Sequence, residues 1–205
     1  MSFDWLAIAK RLEAIAQTGL YYSNDDYDKE RYEEIRIISH QILNEYTDTP
    51  LIKIREIFSK ETGYPTPKVD IRAVIFRRDK ILMVREKSDG QWSLPGGWAD
   101  IGLTPSEVAV KEVEEETGLI VTAERVLAIL DKKCHQHPPS LLHVYKIFIL
   151  CKEAGGSLAS GIETTEVNFF ELSGLPPLSA ERITLEQVRM VFDQYKKGNI
   201  NILFD

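Results

Sequence analysis

Two cysteines in 205 residues, Cys134 and Cys151, are too few for a disulfide framework, so a reducing compartment is expected. No apolar run approaches the roughly 20 residues of a membrane-spanning helix. Basic residues are not in excess. Against 25 Lys and Arg stand 32 Asp and Glu, a formal net charge of −7, which argues against a broad nucleic-acid or membrane-binding surface. A phosphorylated small molecule is not excluded, because bound divalent cations invert the local charge. The opening Met1-Ser2-Phe3-Asp4-Trp5 lacks the basic region and apolar core of a signal peptide, so a cytoplasmic location is the expectation. Internal repeats and low-complexity tracts are also missing. What is present is ordinary globular composition, 43% hydrophobic and 28% charged, on a chain long enough for one sizeable domain with an appendage.

The periodicity divides the chain. Residues 3 to about 62 read as helical. Phe3, Leu6, Ile8, Ala9, Leu12, Ile15 and Ala16 form one apolar stripe; Tyr32, Ile35, Ile38, Ile42 and Leu43 form a second; Leu51, Ile54, Ile57 and Phe58 suggest a third. Gly63-Tyr64-Pro65-Thr66-Pro67-Lys68 stops the helices and holds the chain extended. Residues 1–63 are therefore expected to be a small helical domain and 69–205 a second domain. In the second, Val69, Ile71, Ala73 and Ile75 alternate as a strand, and Ile81 to Val84 return after a turn at Arg77-Arg78-Asp79-Lys80. Glu86 to Gly90 reads as a polar loop. Further strands are expected near 92–94, 120–121, 126–130, 142–150 and 167–170, with a turn at Gly155-Gly156. A last helix begins near Ser179 as N-cap, with Arg182 on its exposed side, and Asn199 to Phe204 could add an edge strand. Strands flanked by helices fit an α/β sandwich.

The most informative stretch runs from Leu94-Pro95-Gly96-Gly97 to Gly118-Leu119. Thr104 and Glu107 have capping-box spacing, Pro105 suits a first helical position, and Gly118 suits a left-handed stop. Between those caps Glu112, Glu115 and Glu116 stand at i, i+3 and i+4 on one face. Like charges so placed repel by about 0.2–0.5 kcal/mol per pair when exposed. They also gather at the helix end where the dipole disfavours them. A solvated acidic face is the bland explanation. A divalent cation held by hard oxygens, magnesium or manganese, is the better one.

The stretch resembles the Nudix box, Gly-x5-Glu-x7-Arg-Glu-aliphatic-x-Glu-Glu-x-Gly-aliphatic. Gly97, Glu112, Val113, Glu115, Glu116, Gly118 and Leu119 match at the right spacing, while Leu103 replaces the first Glu and Lys111 the Arg. The flanking run from Tyr64 to Asp100, with Glu30-Arg31-Tyr32-Glu33, is similar to a Nudix subgroup that carries an N-terminal helical domain. That resemblance implies an α/β/α sandwich with a mixed sheet behind a small all-helical domain, and a homodimer. It also implies magnesium- or manganese-dependent hydrolysis of a nucleoside diphosphate derivative, with CDP-choline and ADP-ribose the leading substrates. Glu112, Glu115 and Glu116 are then metal ligands with the Gly96 carbonyl, and Glu112 and Glu116 are also catalytic. Loss of a carboxylate at Leu103 leaves the cluster less negative, and Lys111 lacks the guanidinium fork.

A metal-bound carboxylate is a poor proton acceptor, so a further base is needed. Glu163 and Glu166, in the stretch Gly161 to Glu166, are the later-loop candidates, with Glu163 better placed; a box glutamate is the alternative. Arg72, Arg85, Trp98, Lys132, His135 and His137 are candidate substrate contacts. Arg72 could equally face solvent in the strand alternation, and Trp98 could fill core. Cys134, His135 and His137 lack the second pair that a structural zinc site needs. The competing functional expectation is a catalytically weak nucleotide-sensing or RNA-binding module that keeps the fold.

Overall fold

The computed structural model describes residues 4–198 and 201–205. Phe3 of the first apolar stripe and Asn199 and Ile200 of the terminal strand lie outside the described residues.

Two compact units emerge. One runs through Pro67 and takes in Pro139–His143; the other comprises Lys68–Pro138 and Val144–Asp205. The first holds α1 (Trp5–Tyr22), α2 (Asp26–Tyr46) and α3 (Leu51–Ser59). Asp4 and Asp25 cap α1 and α2 by accepting hydrogen bonds from Ala7 N and Asp28 N. Its core joins Ala9, Leu43 and Ile54, with Leu141 packed against them. The helical stripes are rotated from expectation. Ile15 and Ile38 face outward, while Glu13, Gln17, Ser39 and His40 are buried. Polar partners make this tolerable: Glu13 and His40 lie 2.9 Å apart, Ser39 Oγ donates to Ala9 O, and Gln17 Nε2 donates to Gly63 O. Gly19 is required because a Cβ there would enter the Tyr32 ring.

The second unit is a mixed sheet between helices. β1 (Lys68–Arg77) pairs in parallel with β5 (Val144–Gly156), from Lys68 opposite Val144 to Ile75 opposite Cys151. β5 pairs antiparallel with β4 (Leu119–Asp131), and β7 (Leu203–Phe204) adds in parallel to β4. A two-residue turn at Arg78 and Asp79, with φ of 50° and 59°, reverses β1 into β2 (Lys80–Glu86). Positive φ at both central residues is what a tight hairpin demands. β2 then leaves β1 to pair with β3 (Trp92–Ser93) and β6 (Thr164–Phe170). One sheet face packs Ile71, Ala73 and Ile75 against Val108, Ala109 and Val113 of α4 (Pro105–Thr117). The other packs Val74, Met83 and Phe148 against Val188, Val191 and Phe192 of α5 (Leu185–Lys196).

Three local expectations are corrected. Gly155 and Gly156 are paired strand residues opposite Ile120 and Leu119. Ser179 opens a turn that accepts from Arg182 N and Ile183 N, and Thr184 caps α5 through a capping box with Gln187. Glu86 is buried, ending β2 instead of lying in a solvated loop.

Candidate active site

The glycine loop lies along the end of β1. Ala73 N donates to Pro95 O, Ile71 N to Gly97 O, and Ala99 N to Val69 O, at 2.8, 2.8 and 2.9 Å. This approach leaves no room for side chains. Gly96 has φ of 140°, and a Cβ there would collide with the Ile71 carbonyl. A Cβ at Gly97 would stand 2.9 Å from Glu112 Oε1. The capping box of Thr104 and Glu107, and Gly118 at φ 69°, place α4 beside the loop.

Glu116 is the buried member of the acid group, and its Oε2 accepts a 2.9 Å hydrogen bond from Gly96 N. Burial pushes its carboxyl up to about 8; the Gly96 N–H and the Arg72 charge oppose this, while Glu86 and Glu112 add repulsion. Burial also raises Glu112, with Lys111 opposing and Glu115 and Glu163 contributing like charge. Glu86, at the end of β2, is raised by burial too, against the pull of Arg182 and Arg72. Glu115 points elsewhere: it is exposed, 3.8 Å from Lys111 Nζ, which itself bonds Asp100 at 2.8 Å. Gly96 contributes its N–H here.

The loop after β5 and the start of β6 are stitched to the C-terminal end of α4. Thr164 Oγ1 donates to Glu116 O, Ala159 N to Thr117 O, and Ser157 N to Gly118 O. These satisfy carbonyls that the helix end leaves without partners. Gly161 passes so close that a Cβ would strike the Glu115 carbonyl. Glu163 is thereby brought within charge range of Glu86 and Glu112. Glu166 is paired at 2.6 Å with Arg85.

The candidate substrate contacts are mostly engaged within the protein. Arg72 is buried, bonded to Asp70, Ser93 Oγ and Leu94 O. Asp70 also pairs with Lys146, which faces it across β5 and is equally buried. Arg85 donates to Gly90 O besides holding Glu166. Lys132 pairs with Glu181 at 2.7 Å, and His135 with Asp205 at 3.2 Å. Trp98, 54% exposed, bridges to Asp70 through its backbone and presents an open ring. Sequence reasoning missed Glu86, Asp70 and Lys146. The signal for Asp70 was available, since it shares strand parity with Arg72 and the core residue Val74.

His137 donates from Nδ1 to Ala180 O at 2.6 Å, since a carbonyl can only accept. Burial lowers it to about 4, with Lys146 and Lys132 adding repulsion against the Ala180 and Gln187 contacts. The unfolded chain binds a proton between its ordinary value near 6.5 and 4 that the folded chain refuses, so stability falls as pH falls through that window. For a half-buried ring the loss is about 1 kcal/mol. Urea midpoints at pH 7 and 5 should differ less in His137→Asn than in the parent; equal differences would contradict the assignment.

Does the site fit a divalent cation? Among the described residues, no three His, Cys, Asp or Glu side chains converge at ligand distance. Yet Glu112 and Glu116 are hard-oxygen donors one helical turn apart, both raised by burial with too little positive charge nearby. That is the environment a cation relieves. The pair fits; Glu115 joins only by leaving Lys111.

The family model described as the NUDIX domain matches residues 66–191. The chain belongs to the Nudix family. Residues 3–58 match a second family model, described as a UDP-X-like, N-terminal oligomerisation domain. Among Nudix relatives, YjhB of Bacillus subtilis, whose assignment as an ADP-ribose pyrophosphatase is provisional, is 46% identical over 98% of this chain and 97% of its own. A crystal structure of a UDP-X diphosphatase superposes with TM-score 0.64 at 34% identity, covering 98% of each chain. That of an ADP-ribose pyrophosphatase from Streptococcus suis gives 0.63 at 46% identity, covering 68% of this chain and all of its own. The fold and the family are those the box implies, and the chain is a Nudix hydrolase.

Proposed function

We propose that this Nudix hydrolase cleaves the diphosphate linkage of a nucleoside diphosphate derivative, releasing a nucleoside monophosphate and a phosphorylated product. ADP-ribose is the first substrate to test, because two full-length or domain-length relatives carry that name. A UDP-linked compound and CDP-choline follow. The observation that carries the reading is the buried Glu116 carboxylate held by Gly96 N–H beside Glu112, with Glu163 in charge range of Glu112.

Glu112 and Glu116 would hold magnesium or manganese, with Glu115 and the Gly96 carbonyl completing the set. When bound, the cation neutralises diphosphate oxygens. Glu163, exposed and free of a cation of its own among the described ion pairs, takes the proton from the attacking water. Trp98 offers its open ring to the base or sugar. Incubation with a panel of nucleoside diphosphate derivatives and manganese tests this by chromatography of the products. Monophosphate release is expected; tight binding without turnover of any compound would make the chain a sensing module instead.

The helical unit is proposed to form a homodimer in a cytoplasmic protein. Trp5, Tyr27, Ile37, Ile38, Tyr46 and Ile52 are exposed, Ile52 at 80%, and residues 3–58 match an oligomerisation domain. Light scattering should give twice the chain mass, and Ile52→Glu should shift it toward one; a monomer at all concentrations would contradict this.

A further inference from the structure

We propose that Arg182 is a positioning residue for Glu163: it anchors the buried Glu86 carboxylate at the end of β2 and, through the adjoining Lys87, sets where the Glu163 loop sits. This presupposes the hydrolase reading above and adds to it a residue far from the box in sequence.

Arg182 Nε lies 3.1 Å from Glu86 Oε1. Its Nη1 donates to Ser179 Oγ at 3.2 Å and stands 3.5 Å from Asp89 Oδ2, while Nη2 donates to Ser88 Oγ at 3.1 Å. Ser179 Oγ itself donates to Asp89 Oδ2 at 2.7 Å. One planar guanidinium therefore joins the 86–91 loop to the 179–183 turn, a span that needs its fork of donors. The backbone supports both sides: Glu86 N donates to Gln91 O, Gly90 N to Glu86 O, and Ser179 N to Trp92 O.

The next residue carries the connection onward. Lys87 N donates to Glu163 O at 2.9 Å, and its ammonium reaches Ile162 O. Pairing between β2 and β6 shifts register between Arg85 and Glu86 and resumes with Glu86 opposite Thr164, so this bond extends the ladder beyond the irregularity at the residue that Arg182 holds. Glu86 also faces like charge, contributing repulsion to Glu116 and receiving it from Glu163 and Asp89. The cations opposing this are Arg182 and Arg72, and Arg72 is committed to Asp70 and Leu94 O. Without Arg182 the buried carboxylate is left among acids, and the turn relieves it by moving, taking Lys87 and Glu163 along.

Arg182→Ala, Arg182→Lys and the double variant Glu86→Gln/Arg182→Ala test this in the full chain. Hydrogen exchange at the Lys87 amide should accelerate at least ~10-fold in Arg182→Ala. On the substrate found in the panel, kcat should fall ~10-fold with KM within about threefold. Adding Glu86→Gln removes the unpaired charge and should return both readouts to within about threefold of the parent, with Arg182→Lys between. Unchanged Lys87 exchange in Arg182→Ala, or a double variant no better than the single, overturns the proposal. Failure of the parent protein to turn over any panel member overturns the hydrolase reading alone, because the exchange measurement decides the Arg182 role without turnover.

Discussion

Glu116→Gln is expected to lower kcat at least ~100-fold while the protein stays folded. Glutamine keeps an oxygen for the Gly96 N–H, so the 2.9 Å contact that joins α4 to the glycine loop survives. What disappears is a buried carboxyl raised to about 8 by burial, which near neutral pH must take up a proton on folding unless a cation stabilises its ionised form. The thermal midpoint without metal should therefore hold or rise. Metal should stabilise the parent more than the variant, since only the parent offers a charged ligand there. A thermal shift with and without manganese reads this independently of turnover. Near-normal kcat would show that the acid assignment on α4 is wrong.

Arg72→Ala is expected to destabilise the protein by about 3 kcal/mol, the scale for breaking a buried charged pair. For a chain of this size that is a fall of roughly 6–12 °C in thermal midpoint. Arg72 is 5% exposed, its Nε divides between the two Asp70 oxygens at 3.1 and 3.2 Å, and Nη1 reaches Leu94 O at 3.0 Å. Burial opposes the guanidinium charge, and Asp70 together with Glu116 and Glu86 more than offsets it. Truncation leaves Asp70 with Lys146 alone and frees the carbonyl that enters the glycine loop. As a substrate contact, Arg72 would instead raise KM with stability unchanged. Calorimetry alongside kinetics separates the two, and a full-strength fold with a KM defect would restore the contact role.

Much of the site was legible because it is local. The capping box at Thr104 and Glu107, Pro105 at the helix start and Gly118 at its end are short-range signals, and α4 runs from Pro105 to Thr117 as they dictate. The spacing of Glu112 and Glu116 follows from helical pitch alone. Alternation found β1, and the prolines at 65 and 67 marked the end of the helical segment. Where local signals compete, the expectation slipped. Ser179 and Thr184 both suit an N-cap; the Trp92 carbonyl accepts from Ser179 N and its hydroxyl goes to Asp89, so Thr184 caps. The helical stripes near Ile15 and Ile38 were misread for a related reason. Paired Glu13 and His40 occupy the buried face, and a pair formed between two helices has no periodic signature in either.

The sequence by itself determined the family and the helix that carries the acids, since caps, periodicity and box spacing act within a few residues. Only the tertiary structure decided which acids are buried together. Glu116 is buried and bonded to the Gly96 N–H, Glu115 is exposed beside Lys111, and Glu86 and Glu163 are brought near from β2 and the loop before β6. It also placed Arg72 in the interior, bonded to Asp70 and Leu94 O. Desolvation and charge pairing depend on what lies opposite in space, and contacts across dozens of residues leave no spacing to read.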